Sequence, residues 1–132
     1  MSRENVELVR RSYELWAARD LEGMLAMMDP EVELRSLLTE AERTSYRGHR
    51  GVAEWYAALL GVFPDWDPKI ERIRAIDDAV VLKVHVSASA AGSGAPVDQT
   101  TWQAFRFREG KVVFVGWFRT ESEALEAVGL RE

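Results

Sequence analysis

The chain has 132 residues, 47% of them hydrophobic and 30% charged, which predicts one globular domain with its own core and argues against a disordered chain. Seventeen basic against 22 acidic residues leave a formal charge of −5, which argues against a nucleic-acid partner, since phosphate neutralisation needs a basic face. No cysteine is present and the two histidines form no clustered ligand motif, so disulfides and thiolate nucleophiles are excluded and neither a metal nor a cofactor is expected.

Met1 to Asn5 are polar and carry no apolar signal core, and no apolar run reaches the ~18 residues of a bilayer span, so a cytoplasmic protein without a membrane partner is expected. Ser2 is read as the cap of a first helix, on which Val6, Val9, Tyr13 and Trp16 recur at helical spacing through about Ala18. Asp20 caps a shorter second helix with Leu21, Met24, Leu25 and Met28 on one stripe, ended by Asp29-Pro30. Glu31 to Leu37 alternates as a strand, with Val32 and Leu34 opposite Glu33 and Arg35. Leu38 to Arg50 reads as a polar loop. Gly51 to Phe63 is a third helix, with Val52, Trp55, Leu59 and Phe63 on its stripe and Pro64 as its stop.

Four consecutive strands follow. Lys69 to Ile76 turns at Asp77-Asp78 into Val80 to Ser89, where Val80, Leu82, Val84 and Val86 face one way and Val81, Lys83, His85 and Ser87 the other. Ala90 to Pro96 is a glycine-containing connection into Val97 to Phe107, which turns Gln103, Phe105 and Phe107 to one side and Trp102, Ala104 and Arg106 to the other. Val112 to Phe118 is apolar on both faces, with Val113, Val115 and Trp117 on one and Val112, Phe114 and Phe118 on the other. No helix remains to cover the second of these faces, which predicts a homodimer through the outer side of the sheet. Thr120-Glu121-Ser122-Glu123 is a capping box opening a last helix to Val128, with Gly129 as its stop. The plan is α+β, a single domain over residues 1–132 with an antiparallel sheet.

That order, with Asn5-Val6-Glu7-Leu8-Val9-Arg10-Arg11-Ser12-Tyr13, Asp20-Leu21-Glu22-Gly23-Met24-Leu25, Asp29-Pro30-Glu31-Val32-Glu33, Tyr46-Arg47-Gly48-His49-Arg50-Gly51-Val52, Phe105-Arg106-Phe107-Arg108-Glu109-Gly110-Lys111-Val112 and Glu123-Ala124-Leu125-Glu126-Ala127-Val128-Gly129-Leu130, resembles the nuclear transport factor 2-like superfamily. Within it the chain is similar to the SnoaL-like polyketide cyclase and ketosteroid isomerase-related group. The resemblance implies a conical, cystatin-like fold of helices on a curved antiparallel sheet. It also implies an apolar cavity between the layers and dimers through the outer sheet face. Unrelated chemistries occupy that one pocket across the superfamily, so the resemblance specifies fold more closely than function.

Ketosteroid isomerase-related enzymes place a carboxylate base on the strand after the second helix, and Leu34 stands at the aligned place here. Glu33 is adjacent but alternates to the opposite face, so it is a base only after a bulge or a one-residue shift and otherwise a solvated strand residue. Gln103 stands where those enzymes carry an oxyanion-stabilising acid; its amide can donate to a developing oxyanion or bond across the sheet. Tyr13 can offer its hydroxyl to a ligand carbonyl or serve as a core tyrosine. His49, within the basic stretch Arg43 to Arg50, is a candidate base or anion contact near the third helix, or part of a solvated loop. Trp16, Trp55, Phe105 and Trp117 fall on inward faces, where they either line a cavity or fill the cone, and Arg119 points to the expected cavity mouth.

The function expected from these residues is a pocket for a small apolar molecule bearing a carbonyl or hydroxyl. As an enzyme the protein would transfer a proton in an isomerisation, cyclisation or dehydration, with Tyr13 and Gln103 polarising an oxygen and Glu33 or His49 as base. The rival reading is a non-catalytic binding or dimerisation module without the catalytic carboxylate.

Overall fold

A computed structural model describes residues 2–36 and 45–129. Its elements in chain order are α1 (Ser2–Ala17), α2 (Leu21–Ala26), β1 (Met28–Arg35), β2 (Ser45–Arg47), α3 (Gly48–Val62), β3 (Asp67–Ile76), β4 (Ala79–Ser89), β5 (Pro96–Arg108), β6 (Lys111–Phe118) and α4 (Glu121–Ala127). Asp20 caps α2 by accepting the Gly23 N–H at 2.9 Å. The helix ends earlier than its apolar stripe suggests, because Met28 already begins β1. Pro30, which has no N–H to donate, sits where the pairing of β1 with β6 is interrupted, between Met28 and Glu33.

Part of the expected Leu38 to Arg50 loop, up to Thr44, lies outside the described residues. Its remainder is not a loop: Ser45-Tyr46-Arg47 is strand β2, and α3 starts three residues before the predicted Gly51. A strand of three residues is too short to show a period. Gly48 makes the strand-to-helix corner with φ of 73°, a backbone conformation that disfavours any side chain, and a Cβ there would also lie 3.3 Å from the Pro30 carbonyl oxygen.

The six strands form one sheet in the order β2-β1-β6-β5-β4-β3. All neighbours are antiparallel except β1 and β6, which run parallel with Leu34 opposite Val115. The sheet is therefore mixed rather than purely antiparallel. A parallel pair needs a long crossover, and β1 reaches β6 only after β2, α3 and three further strands.

Helices α1 and α3 lie on the inner face, α1 against β3 and β4 and α3 against β1 and β2. The main core gathers there, around Val9, Trp16, Leu34, Trp55, Leu82 and Phe105. The outer face is not bare, contrary to the expectation of an uncovered Phe114 and Phe118. Helix α4 folds back onto it, and Ala124, Leu125 and Val128 bury Ala79, Val81, Ala104, Phe114 and Phe118. Each fully buried aliphatic side chain in such a cluster stabilises the fold by roughly 1.5–3 kcal/mol. The capping box holds α4 in place: Thr120 Oγ1 accepts the Glu123 N–H at 3.1 Å, while the Glu123 carboxylate reaches back to the Arg119 N–H at 3.2 Å. At the other end the Arg106 guanidinium donates to the Val128 carbonyl oxygen.

A second correction concerns Val112. Arg106 pairs with Phe114 but Phe107 pairs with Val112, so Val113 is an extra residue in β6. This bulge returns Val112 to the inner face, where it joins the main core instead of sharing a side with Phe114. Among the described residues, no helix is long and apolar enough to cross a membrane.

Candidate functional site

A cavity of about 70 Å³ lies between the helices and the inner sheet face. Tyr13 and Trp16 of α1 meet Trp55 of α3 above it, Leu34, Gln103, Phe105, Val115 and Trp117 of the sheet form its floor, and Met24, Met27 and Met28 line one side. The space suffices for a few waters but falls well short of the roughly 300–1,000 Å³ typical of a drug-sized ligand site. The inward aromatics thus both fill the cone and line what remains.

The rings are held in a fixed arrangement. Trp55 stacks on Trp117 with centroids 5.0 Å apart and leans on Trp16 at 5.9 Å. Trp16 donates its indole N–H to the Trp66 carbonyl oxygen at 3.0 Å. Arg19 bonds the carbonyl oxygens of Trp16, Pro64 and Trp66 at 3.1, 3.1 and 3.2 Å, and its guanidinium lies 5.1 Å from the centroid of the Trp16 ring.

At the centre the Tyr13 hydroxyl donates to Gln103 Oε1. Gln103 is only 4% exposed, yet among the described residues its amide nitrogen makes no hydrogen bond. With the carbonyl end engaged by Tyr13, the free N–H pair is the group left for a ligand. Tyr13 is half-buried as a residue, but its hydroxyl end is enclosed, and burial pushes the phenol well above its ordinary pKa. It therefore stays a neutral donor. A second donor is also idle: Trp55 is 6% exposed and its indole N–H is buried with no partner among the described residues. Leaving such a group unpaired costs about 1–3 kcal/mol.

Six of the nine residues singled out from the sequence meet at this cavity: Tyr13, Trp16, Trp55, Gln103, Phe105 and Trp117. Glu33 does not. It pairs opposite Phe114 on the outer face, 3.4 Å from Arg35, 3.9 Å from Arg47 and 3.4 Å from the Ser45 hydroxyl. The irregularity in β1 falls before Glu33, so alternation from Glu33 to Leu34 is intact and Leu34 takes the inward place. His49 is half-buried with Nε2 2.9 Å from the Met28 carbonyl oxygen, bonded to the strand behind the wall rather than facing the space. Arg119 is exposed just beyond β6 and is also off the wall.

Ser12, Trp66, Pro68, Val112 and the three methionines also line the wall without having been singled out as site residues. Ser12 lies one turn from Trp16, which placed it beside the stripe, but its hydroxyl is already bonded to the Val9 carbonyl oxygen at 2.6 Å. Trp66 stands between Pro64 and Pro68, where no period marks a face. Among the described residues no three His, Asp or Glu side chains are grouped to hold a metal.

No curated protein matches the chain. Among solved structures, an NTF2-like protein of unknown function from Burkholderia pseudomallei superposes with a TM-score of 0.81 at 20% identity, over 98% of this chain and 99% of that one. TerC, crystallised with polyporic acid, gives a TM-score of 0.78 at 22% identity over 89% of this chain and 92% of its own. A protein with a ketosteroid isomerase-like fold from Catenulispora acidiphila, in complex with trimethylamine, gives 0.75 at 14% identity over 94% and 93%. These likenesses are of fold. The sequence pattern of the SnoaL-like domain matches residues 9–115, from the buried stripe of α1 to the strand that floors the cavity, and the chain therefore belongs to the SnoaL-like domain family.

Proposed function

We propose that this protein binds a neutral, mostly apolar small molecule through a carbonyl or hydroxyl oxygen, with the Gln103 amide as donor and the tryptophan-rich wall as its apolar seat. The observation that carries this reading is the Tyr13–Gln103 hydrogen bond, which engages the amide oxygen and leaves the amide N–H pair, among the described residues, as an unused donor on the cavity wall. No charged side chain stands among the described residues of the wall, so an ionised ligand would lose its hydration without gaining a partner. Two structures of the same fold hold small molecules, polyporic acid in TerC and trimethylamine in the Catenulispora protein, which supports small-molecule occupancy.

Binding fits this wall better than proton transfer at carbon. Such a transfer needs a base within hydrogen-bond reach of the substrate, and Leu34 occupies the inward place on β1. Titration of the intrinsic tryptophan fluorescence with a neutral ketone and its carboxylate counterpart tests the reading. Saturable binding of the ketone alone, weakened in Gln103→Leu, is expected. Equal affinity for the carboxylate, or no effect of Gln103→Leu, would remove the amide from its assigned role.

We assign the expected homodimer to the part of the outer face that α4 leaves open, around half-buried Trp102 with the Arg72 guanidinium 5.7 Å from its ring centroid. Light scattering at micromolar concentration reads it directly, and a monomer there excludes this pairing.

A further inference from the structure

Four tryptophans line the cavity, and the fold treats the indole groups of two of them, Trp16 and Trp55, differently. The N–H of Trp16 is satisfied by the Trp66 carbonyl oxygen at 3.0 Å, whereas that of Trp55, whose ring is 5.9 Å away, is enclosed with no acceptor among the described residues. Buried donors in native structures are nearly always paired, so an idle one on a cavity wall calls for an acceptor that arrives with something else. We propose that the ligand carries two acceptor oxygens, one for the Gln103 amide and one for the Trp55 indole N–H, so that Trp55 selects dicarbonyl-like compounds over compounds with a single carbonyl. This rests on the pocket reading above and adds to it a second anchoring point.

The resting cavity explains why the second donor is out of use. At about 70 Å³ it is smaller than the ~150 Å³ apolar cavity known to admit a benzene ring, so entry of even one ring requires the wall to give. The donor side cannot easily do so, because Trp55 is fixed between Trp117 and Trp16. The opposite choice is open on the α2–β1 side, where Met24, Met27 and Met28 stand together. Unbranched methionine side chains change rotamer and repack at low cost. Their displacement enlarges the space while the aromatic side stays fixed, and a ligand of the right length then reaches both amide and indole. The cavity is thus rigid where it recognises and soft where it admits.

The test uses the full chain and three ring-matched probes: naphthalene without an acceptor, 1-tetralone with one carbonyl and 1,4-naphthoquinone with two. Affinities come from calorimetry, and the five indole N–H resonances are followed in ¹⁵N-labelled protein. The quinone is expected to bind about tenfold more tightly than the tetralone, the amount one good hydrogen bond supplies. Gln103→Leu and Trp55→Phe should each weaken the quinone by about that factor, only one of them should weaken the tetralone, and neither should weaken naphthalene. If Trp55→Phe weakens all three probes alike, Trp55 contributes shape and the two-point proposal is wrong. If Gln103→Leu weakens the carbonyl probes and Trp55→Phe does not, the pocket reading stands and this inference falls. Failure of every probe to bind overturns both. Should Trp55→Phe not fold, the wild-type spectrum decides: a downfield move of the Trp55 indole proton with quinone but not with naphthalene supports the proposal, and its absence overturns it.

Discussion

On the outer face of the β5–β6 hairpin Ala104 and Gly116 stand opposite each other, and the rings of Phe114 and Phe118 close over the glycine to within about 3.0 Å of where a Cβ would be. On the inner face the same two strands set Gln103 opposite Trp117 and Phe105 opposite Val115, and space remains. Small residues let α4 seal one side solidly, while large aromatic residues arch over the other without filling it. The outer cluster is apolar, with the Arg106 guanidinium at its margin, where Nε is buried without a hydrogen bond among the described residues. The inner side instead keeps the Gln103 amide and the Trp55 indole N–H unused on a cavity wall. Stability and binding are therefore separable by face, although one pair of strands serves both.

The largest expected effect tests the sealed side. Leu125→Ala removes a fully buried side chain between α4 and the sheet and should cost about 2–5 kcal/mol in urea unfolding, with ligand affinity of the folded protein unchanged. A loss below about 1 kcal/mol would mean that α4 is not the solid half of the comparison. Gln103→Leu should differ by lowering affinity as well as stability. It leaves the Tyr13 hydroxyl without its acceptor, costing about 1–3 kcal/mol, and lowers affinity for a neutral ketone by about tenfold. Wild-type affinity in that variant would show that the inner face is packing alone.

Tyr13 supplies a pH test of intermediate size. Its folded pKa is raised by burial, so the unfolded chain loses this proton near pH 10 while the folded chain keeps it. The stability it contributes is fully present below pH ~10 and is lost above it, by about 1.4 kcal/mol per pH unit until the folded phenol titrates. Tyr13→Phe should remove that alkaline decline and cost about 0.5–1.5 kcal/mol at neutral pH through the lost hydrogen bond. Parallel stability curves for the two proteins between pH 9 and 11 would show that the hydroxyl is open to water. The smallest effect is expected at Glu33→Gln, within about 0.5 kcal/mol and without change in binding, since that carboxylate lies with Arg35 and Arg47 away from the cavity. A large loss of binding there would place Glu33 on the wrong face.

Much of this contrast was legible in the sequence. Alternation placed Gln103, Phe105, Leu34 and Glu33 on their correct sides, and helical spacing brought Tyr13, Trp16 and Trp55 to the same wall. It failed where periodicity breaks. The extra residue at Val113 shifted Val112 to the other face, and β2 was too short to alternate. The capping box announced α4, yet nothing in a run of seven helical residues said that it folds back onto the outer face. His49 was attractive by residue type alone, and its bond to the Met28 carbonyl depends on a neighbour twenty-one residues away.

The parallel pairing of β1 with β6 also sets the order in which this molecule can be completed. Leu34 pairs early with Tyr46 of β2 but meets Val115 only when β6 is made, so one edge of the first strand waits until then to be paired. As the protein leaves the ribosome, β3, β4 and β5 can zip into a meander on which α1 docks, while β1 is paired only with the short β2. Such long-range closure slows folding and keeps apolar surface open to aggregation in the interval. Removal of the β6–α4 segment would therefore leave β1 cut off from the β3–β5 meander, and the cavity gains its floor only when β6 bridges the two.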